Sequence, residues 1–281
     1  RGAIIPIYIL DDQGAGEYAM GAASRWWLHQ ALEDLNNSLN GGLQLYRGDA
    51  LTLLSELVEQ TGAGAVLWNR CYEPWRIARD GKIKGALKDR GIAVESFNGS
   101  LLWEPWSVLK SDQTPYKVFT PYYRRGCLAA TAPRMPLGIP KNIQLYKNSG
   151  HSLMLSELEL MPQINWHEQM RARWTVSEAA AQQRLDEFVS DELQDYRDGR
   201  NFPDKQNVSR LSPYLHFGQL SPNTAWHRAA AAGTVIDNEA SLDTFMSELG
   251  WREFSYYLLY HFPKLPTDNL QARFDLFPWA E

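Results

Sequence analysis

The sequence predicts an α/β domain, a parallel sheet with helices on its faces, joined by a long connection to an all-α domain. Three observations predict it. Short apolar strands alternate with amphipathic helices through the first 127 residues. A stretch broken by Pro133, Pro136, Gly138, Pro140 and Gly150 follows, and beyond about Trp174 the pattern is helical throughout. At 281 residues the chain suits about two domains. Its 44% hydrophobic content can build cores, and 22% charge is too little for disorder.

Ala3–Leu10 reads as a buried β-branched strand that ends at Asp11-Asp12. A helix follows from about Tyr18 to Leu39, with Ala22, Trp26, Leu28, Leu32, Leu35 and Leu39 near helical spacing. Leu43–Tyr46 is a short strand, and Asp49 caps a helix running to about Gln60. Ala65–Trp68 is the next strand, Lys82–Arg90 the next helix and Ile92–Phe97 the last strand. Residues 128–174 are expected to connect the domains over the surface. Thr175 or Ser177 starts a helix to about Tyr196, a loop spans Asp198–Asn207, and helices resume at Ser212, Ser221 and about Ser241, the last ending at His261. The segment from Pro263 onward is irregular. Beginning on a strand with no start methionine, the chain is expected to be cut from something longer.

Several classes are excluded. No run approaches the roughly 20 apolar residues of a membrane span, and no signal peptide precedes the first strand. Cys71 and Cys127 are too few for a disulfide framework, so a reducing, cytoplasmic setting is expected. Net charge is −5; the first 127 residues hold 14 basic and 14 acidic side chains, the remainder 14 and 19. Neither half is basic, so any nucleic-acid partner must be held by a local patch. The 11 tryptophans read mainly as core.

Gly14-Ala-Gly16, with Ala19 three residues on, matches the loose dinucleotide fingerprint. That fingerprint also needs an acid about 20 residues on, at the next strand's end. Glu33 and Asp34 sit inside the predicted helix and Asp49 is too far, so a turn leading into a helix is the better reading.

The strongest signals lie between Tyr196 and His261. In Ser209-Arg-Leu-Ser-Pro-Tyr-Leu-His-Phe-Gly218, Ser212 can cap a helix, Pro213 fits its first position and Gly218 its end. Ser221-Pro222 repeats the start signal. With Arg210, Ser209 and Ser212 beside free backbone N–H groups, a pyrophosphate would be well held; alternatively two Ser-Pro caps merely start two helices. Further on, Phe245, Glu248, Trp251, Arg252 and Ser255 fall on one helical stripe. Glu248 and Arg252 can pair on the surface at i,i+4. Alternatively the stripe lines a pocket, with Trp251 stacking on a flat ligand, Arg252 binding an anion and Glu248 accepting hydrogen bonds. The six histidines (29, 151, 167, 216, 227, 261) show no metal-ligand spacing, so no metal site is expected; His216 is read as packing.

Taken together, Ser209–Pro222 and Glu248-Leu-Gly-Trp-Arg-Glu-Phe254 closely resemble the DNA photolyase/cryptochrome family. So do Ala3–Asp11, Asn69–Pro74, Tyr116-Lys-Val-Phe-Thr-Pro121 and Phe277-Pro-Trp279, in order along the chain, and the likeness is greatest to bacterial cyclobutane pyrimidine dimer photolyases. The resemblance implies a Rossmann-like antenna-type domain at 1–127, a linker at 128–174 and the first part of a helical FAD-binding domain at 175–281. It implies FAD contacts at Tyr196, Val208, Ser209, Arg210, Leu211, Ser212, Phe245 and Arg252. Val208 stands where the family usually has threonine, which puts one phosphate contact in doubt. Glu248 and Trp251 match positions that meet a flipped-out dimer in damaged DNA. The implied activity is light-driven dimer repair by reduced FAD in a monomer, with a second antenna chromophore of folate or deazaflavin type; Tyr116–Arg125 is the expected region for it. A cryptochrome signalling through the same flavin, and a nucleotide-binding protein using only the α/β domain, are the alternatives. Against the family pattern, a first strand and the rest of the helical domain are missing, so the chain alone is expected neither to hold FAD stably nor to be active.

Overall fold

The computed structural model describes residues 2–146, 152–233 and 237–278; Gly150, His151 and Trp279 lie outside the described residues. The α/β half contains β1 (Ile7–Leu10), β2 (Gln44–Arg47), β3 (Ala65–Asn69) and β4 (Ala93–Phe97). Between them run α1 (Ala22–Ser38), α2 (Ala50–Thr61) and α3 (Pro74–Asp89). β1 is shorter than the apolar run because Pro6 has no N–H to donate; its carbonyl instead accepts from Gln44 N at 2.9 Å. Asp49 caps α2 as expected, accepting from Thr52 N at 2.8 Å. α3 begins eight residues before the expected Lys82, since Pro74 is pre-set for a first helical turn.

The strands pair in parallel, β1 with β2 from Ile7↔Gln44 and β3 with β4 from Ala65↔Ala93. No ladder joins β1 to β3 among the described residues, so the expected single sheet is resolved as two pairs. A shared core unites them: Ile7 and Ile9 pack with Val66, Trp68 and Val94 beneath Leu54 and Val58 of α2 and Ile83 and Leu87 of α3. Each such fully buried aliphatic side chain contributes about 1.5–3 kcal/mol. Leu67 and Phe97, on the other face, stay exposed.

Two expectations for α1 and the connection change. α1 starts at Ala22, after a 3-10 turn over Gln13–Tyr18 kinked at Gly16, whose φ of 53° favours glycine. It buries Trp26, Trp27, Leu28 and Leu32, while Leu35 is exposed. Residues 128–174 do not simply cross the surface. Leu158 and Leu160 are buried against Leu28, Leu32 and Leu45, and Leu153 N donates to Leu45 O at 2.8 Å. β2 is an edge strand, and the connection satisfies its outer carbonyl.

The second half carries α4 (Glu178–Glu187), α5 (Ser212–Phe217), α6 (Pro222–Ala232) and α7 (Glu239–His261). Ser177 caps α4 through Ala180 N, and Ser221 caps α6 through Asn223 N. The largest core is aromatic and crosses the expected domain boundary: Trp26 and Trp27 of α1 join Phe188, Tyr214, Phe245 and Phe254. Trp27 sets its ring edge-on to Tyr214 at 5.2 Å and to Trp174 at 5.3 Å. α1 is thereby packed directly against the helices that build the site.

Candidate functional site

A cavity of about 650 Å³ opens between α5 and α7, closed on a third side by Ser24 and Trp27 of α1. Seven of the ten sequence-predicted site residues line it: Tyr196, Ser209, Leu211, Ser212, Phe245, Glu248 and Arg252. The two candidate segments therefore converge on one hollow, as the pocket reading required.

On the α5 wall, Arg210 has a left-handed backbone with φ of 53°, a strained choice for a residue with a Cβ. It sends its own side chain to solvent while Ser209 and Leu211 face the cavity. Arg210 is thus not a wall residue of this cavity. Val208 also lies outside the cavity lining, 37% exposed. Arg184, which sequence reasoning missed, props this loop from behind: its Nε donates to Ser209 O at 3.0 Å and its guanidinium pairs with Glu192. Ser212 is not the cap it was expected to be. Leu211 already has helical backbone angles and takes the N-cap place, with no side-chain bond. The hydroxyls of Ser209 and Ser212 make no hydrogen bond among the described residues.

On the α7 wall, Phe245 is 2% exposed and meets Tyr196 edge-on at 5.6 Å. The i,i+4 pair of Glu248 with Arg252 does not form. Glu248 pairs instead with Arg200, whose guanidinium lies 5.4 Å over the Tyr196 ring. That contact pushes the Arg200 pKa up, the hydrogen bond to Glu248 being the largest cause. Arg252 turns to Ser100 O at 2.7 Å and Glu253 at 3.1 Å. Trp251 leaves the stripe's cavity face altogether. It is 46% exposed and stacks on Phe119, which stacks in turn on Tyr123. Trp251 thus offers one open face beside the cavity rather than inside it.

The aromatic walls Trp27, Trp174 and Tyr256 were also missed. A helical stripe read from one segment cannot reveal what another segment brings. His216 lines the first cavity and, with Ser24, a second of about 670 Å³. Burial holds its pKa below the ordinary imidazole value. The second cavity lies at the end of β1, where Tyr8, Asp11 and Asp12 face Trp75, Arg76 and Arg79. Both guanidiniums lie over the Trp75 ring, at 5.0 and 5.3 Å. Burial pushes the Tyr8 hydroxyl up to about 12. Tyr116–Arg125 lines neither cavity; Tyr122 and Tyr123 are buried in the core. Gly14-Ala-Gly16 forms a turn beside Asp11, with Gly14 N donating to its carboxylate at 3.3 Å, and α1 starts six residues past Gly16. That acidic turn is not a phosphate loop. Among the described residues no three His, Cys, Asp or Glu side chains cluster as a metal site.

Comparison with known proteins bears on this arrangement. The DNA photolyase family model matches residues 1–140. A deoxyribodipyrimidine photo-lyase from Agrobacterium fabrum is 38% identical across 100% of this chain and 58% of its own length. Cryptochrome-2 of Arabidopsis thaliana is 29% identical across 99% of this chain and 48% of its own. The crystal structure of a bacterial class III photolyase from Agrobacterium tumefaciens superposes with a TM-score of 0.92 at 37% identity, over 100% of this chain and 58% of that one. The chain spans about half the length of these relatives.

Proposed function

Since the chain belongs to the DNA photolyase family, we propose that it serves light-driven repair of cyclobutane pyrimidine dimers in DNA, with reduced FAD held between α5 and α7. The observation that carries this reading is the convergence of Ser209 and Ser212 with Glu248 and Arg252 on one cavity, beside the open face of Trp251. The residues fit such a cofactor. The cavity has the size of a small-molecule site and aromatic walls with a few convergent polar groups. Its two uncommitted hydroxyls suit phosphate oxygens.

Bound and reduced, FAD would lend the photoexcited electron that opens the cyclobutane ring and would recover it once the ring has split. The chain's part is placement. Ser209 and Ser212 donate to the diphosphate, Arg252 supplies positive charge, and Trp27, Trp174 and Phe245 keep water out. Glu248 accepts hydrogen bonds from the pyrimidine edge, and Trp251 stacks on the extruded dimer. Extrusion costs a few kcal/mol, and stacking returns about 1–3 kcal/mol per base. Arg124 lies 5.4 Å over the Tyr123 ring but is paired with Asp243, so Lys117 and Arg125 of the same segment supply the local positive charge for a duplex, within a chain whose net charge is −5. The second cavity, where Arg76 and Arg79 lie over the Trp75 ring, suits the flat ring system of an antenna chromophore. Acting as a monomer in the cytoplasm completes this reading; no described helix is long and apolar enough to cross a membrane.

Similarity to a cryptochrome over nearly the whole chain supports a second reading, blue-light signalling without repair. Blue-light reversal of dimers in UV-irradiated oligothymidylate separates the two. Repair that falls in Glu248→Ala while FAD stays bound supports the first. FAD binding with no reversal at all replaces it with the second.

A further inference from the structure

α7 carries a buried carboxylate that the chemistry above leaves unused. Glu253 is 1% exposed. Its Oε2 accepts from Leu102 N at 2.7 Å and Trp103 N at 3.4 Å, and its Oε1 accepts from Arg252 Nη1 at 3.1 Å. The same Nη1 donates to Ser100 O at 2.7 Å, and the guanidinium lies 5.1 Å over the Tyr256 ring. Ser100, Leu102 and Trp103 belong to the loop after β4, whereas Arg252 lines the cavity. One carboxylate thus ties the α/β half to the cavity wall.

We propose that Glu253 is a positioning residue, which clamps the Arg252 guanidinium on the cavity wall in the orientation that meets a ligand anion and anchors the loop after β4 at the same time. This rests on the flavin reading above. A free arginine loses rotamer freedom on meeting its ligand; one already clamped does not. The two oxygens divide the work, so the two roles are separable. In Glu253→Gln the amide oxygen can keep Leu102 and Trp103, while its NH₂ confronts another donor at Arg252. The loop anchor survives and the clamp opens.

Protonation does the same reversibly. Burial pushes the Glu253 carboxyl up to about 7. The thiol and phenols facing it stay neutral at neutrality. Burial drives Cys127 up to about 12 and raises Tyr122 and Tyr256. Across the cavity, burial holds His216 below its ordinary value.

The test is FAD titration of wild type and Glu253→Gln by flavin fluorescence quenching at pH 6.5 and 8, beside ¹⁵N spectra of the Arg252 side chain without ligand, assigned with Arg252→Lys. At pH 8 Glu253→Gln should fold yet bind FAD about tenfold more weakly. Wild type should weaken toward it at pH 6.5, with Glu253→Gln flat. Arg252 Nη protons should exchange slowly in wild type and faster in the variant, which keeps only the Ser100 O contact. Equal affinities with equal pH dependence, or Arg252 Nη exchange in Glu253→Gln as slow as in wild type, would overturn the clamp. Wild type that binds no FAD at either pH matches the expectation for the chain alone, and the Arg252 Nη exchange rates then decide the clamp.

Discussion

The Phe119 ring lies flat against the Trp251 indole, with centroids 3.7 Å apart and planes 13° from parallel. Tyr123 in turn lies nearly parallel to Phe119, 5.5 Å away at 8°. One face of the indole is therefore filled from within the protein, and the other is open to a partner.

Trp251→Ala should weaken binding of single-stranded DNA carrying one pyrimidine dimer by about tenfold to a hundredfold, the worth of about 1–3 kcal/mol of stacking. Phe119→Ala should weaken it less, because the indole remains but loses its backing. Fluorescence anisotropy titrations check both. Equal affinity of wild type and Trp251→Ala would remove Trp251 from the DNA interface.

The Arg200–Glu248 pair sits at the cavity edge with side chains 30% and 36% exposed. Such a pair adds little to folding, so a thermal double-mutant cycle of Arg200→Ala and Glu248→Ala should give a coupling below about 1 kcal/mol. Glu248→Ala should nevertheless lower the yield of dimer reversal while the FAD content is unchanged. A coupling of several kcal/mol would make the pair a structural element instead.

Ser212 and Ser221 look equivalent in the sequence and differ in the fold. Ser221 caps α6 through Asn223 N, whereas the Ser212 side chain caps nothing. Ser221→Ala should cost about 1 kcal/mol in urea unfolding. Ser212→Ala should leave stability within about 0.5 kcal/mol and weaken FAD binding. The reverse pattern would put the phosphate contact at α6.

Burial raises the Glu253 pKa from 4.5 to about 7. A group raised on folding favours the folded state fully below its unfolded pKa, and that advantage is lost as pH climbs to the folded value. Between pH 4.5 and 7, wild type should therefore lose about 3 kcal/mol of stability relative to Glu253→Gln, with no further change above pH 7. Urea melts of both proteins at pH 4.5, 6 and 8 check this. A difference that stays constant with pH would mean that Glu253 does not titrate in this range.

Much of the fold was legible because its signals are local. Asp49, Ser177 and Ser221 announced their helices by cap chemistry, and Gly218 adopts the left-handed end expected of it, with φ of 78°. Length and pairing were harder. The run before Leu10 promised a longer strand than Pro6 permits, and alternating strands implied a single sheet where two pairs share a core. Residues 128–174 read as a surface connection, yet Leu158 and Leu160 fill a core because β2 leaves its outer edge open.

By itself the sequence determined the order of elements, the segments that carry the chemistry and seven of the residues that line the cavity, since all of these depend on spacing along one chain. Tertiary structure decided how those residues are used. Arg210 is exposed on a left-handed backbone, Trp251 backs onto Phe119, Glu248 takes Arg200 in preference to Arg252, and Trp27 reaches the cavity from α1. Each of those outcomes is a choice among partners more than twenty residues away or of backbone hand, and periodicity within one helix holds no information about either.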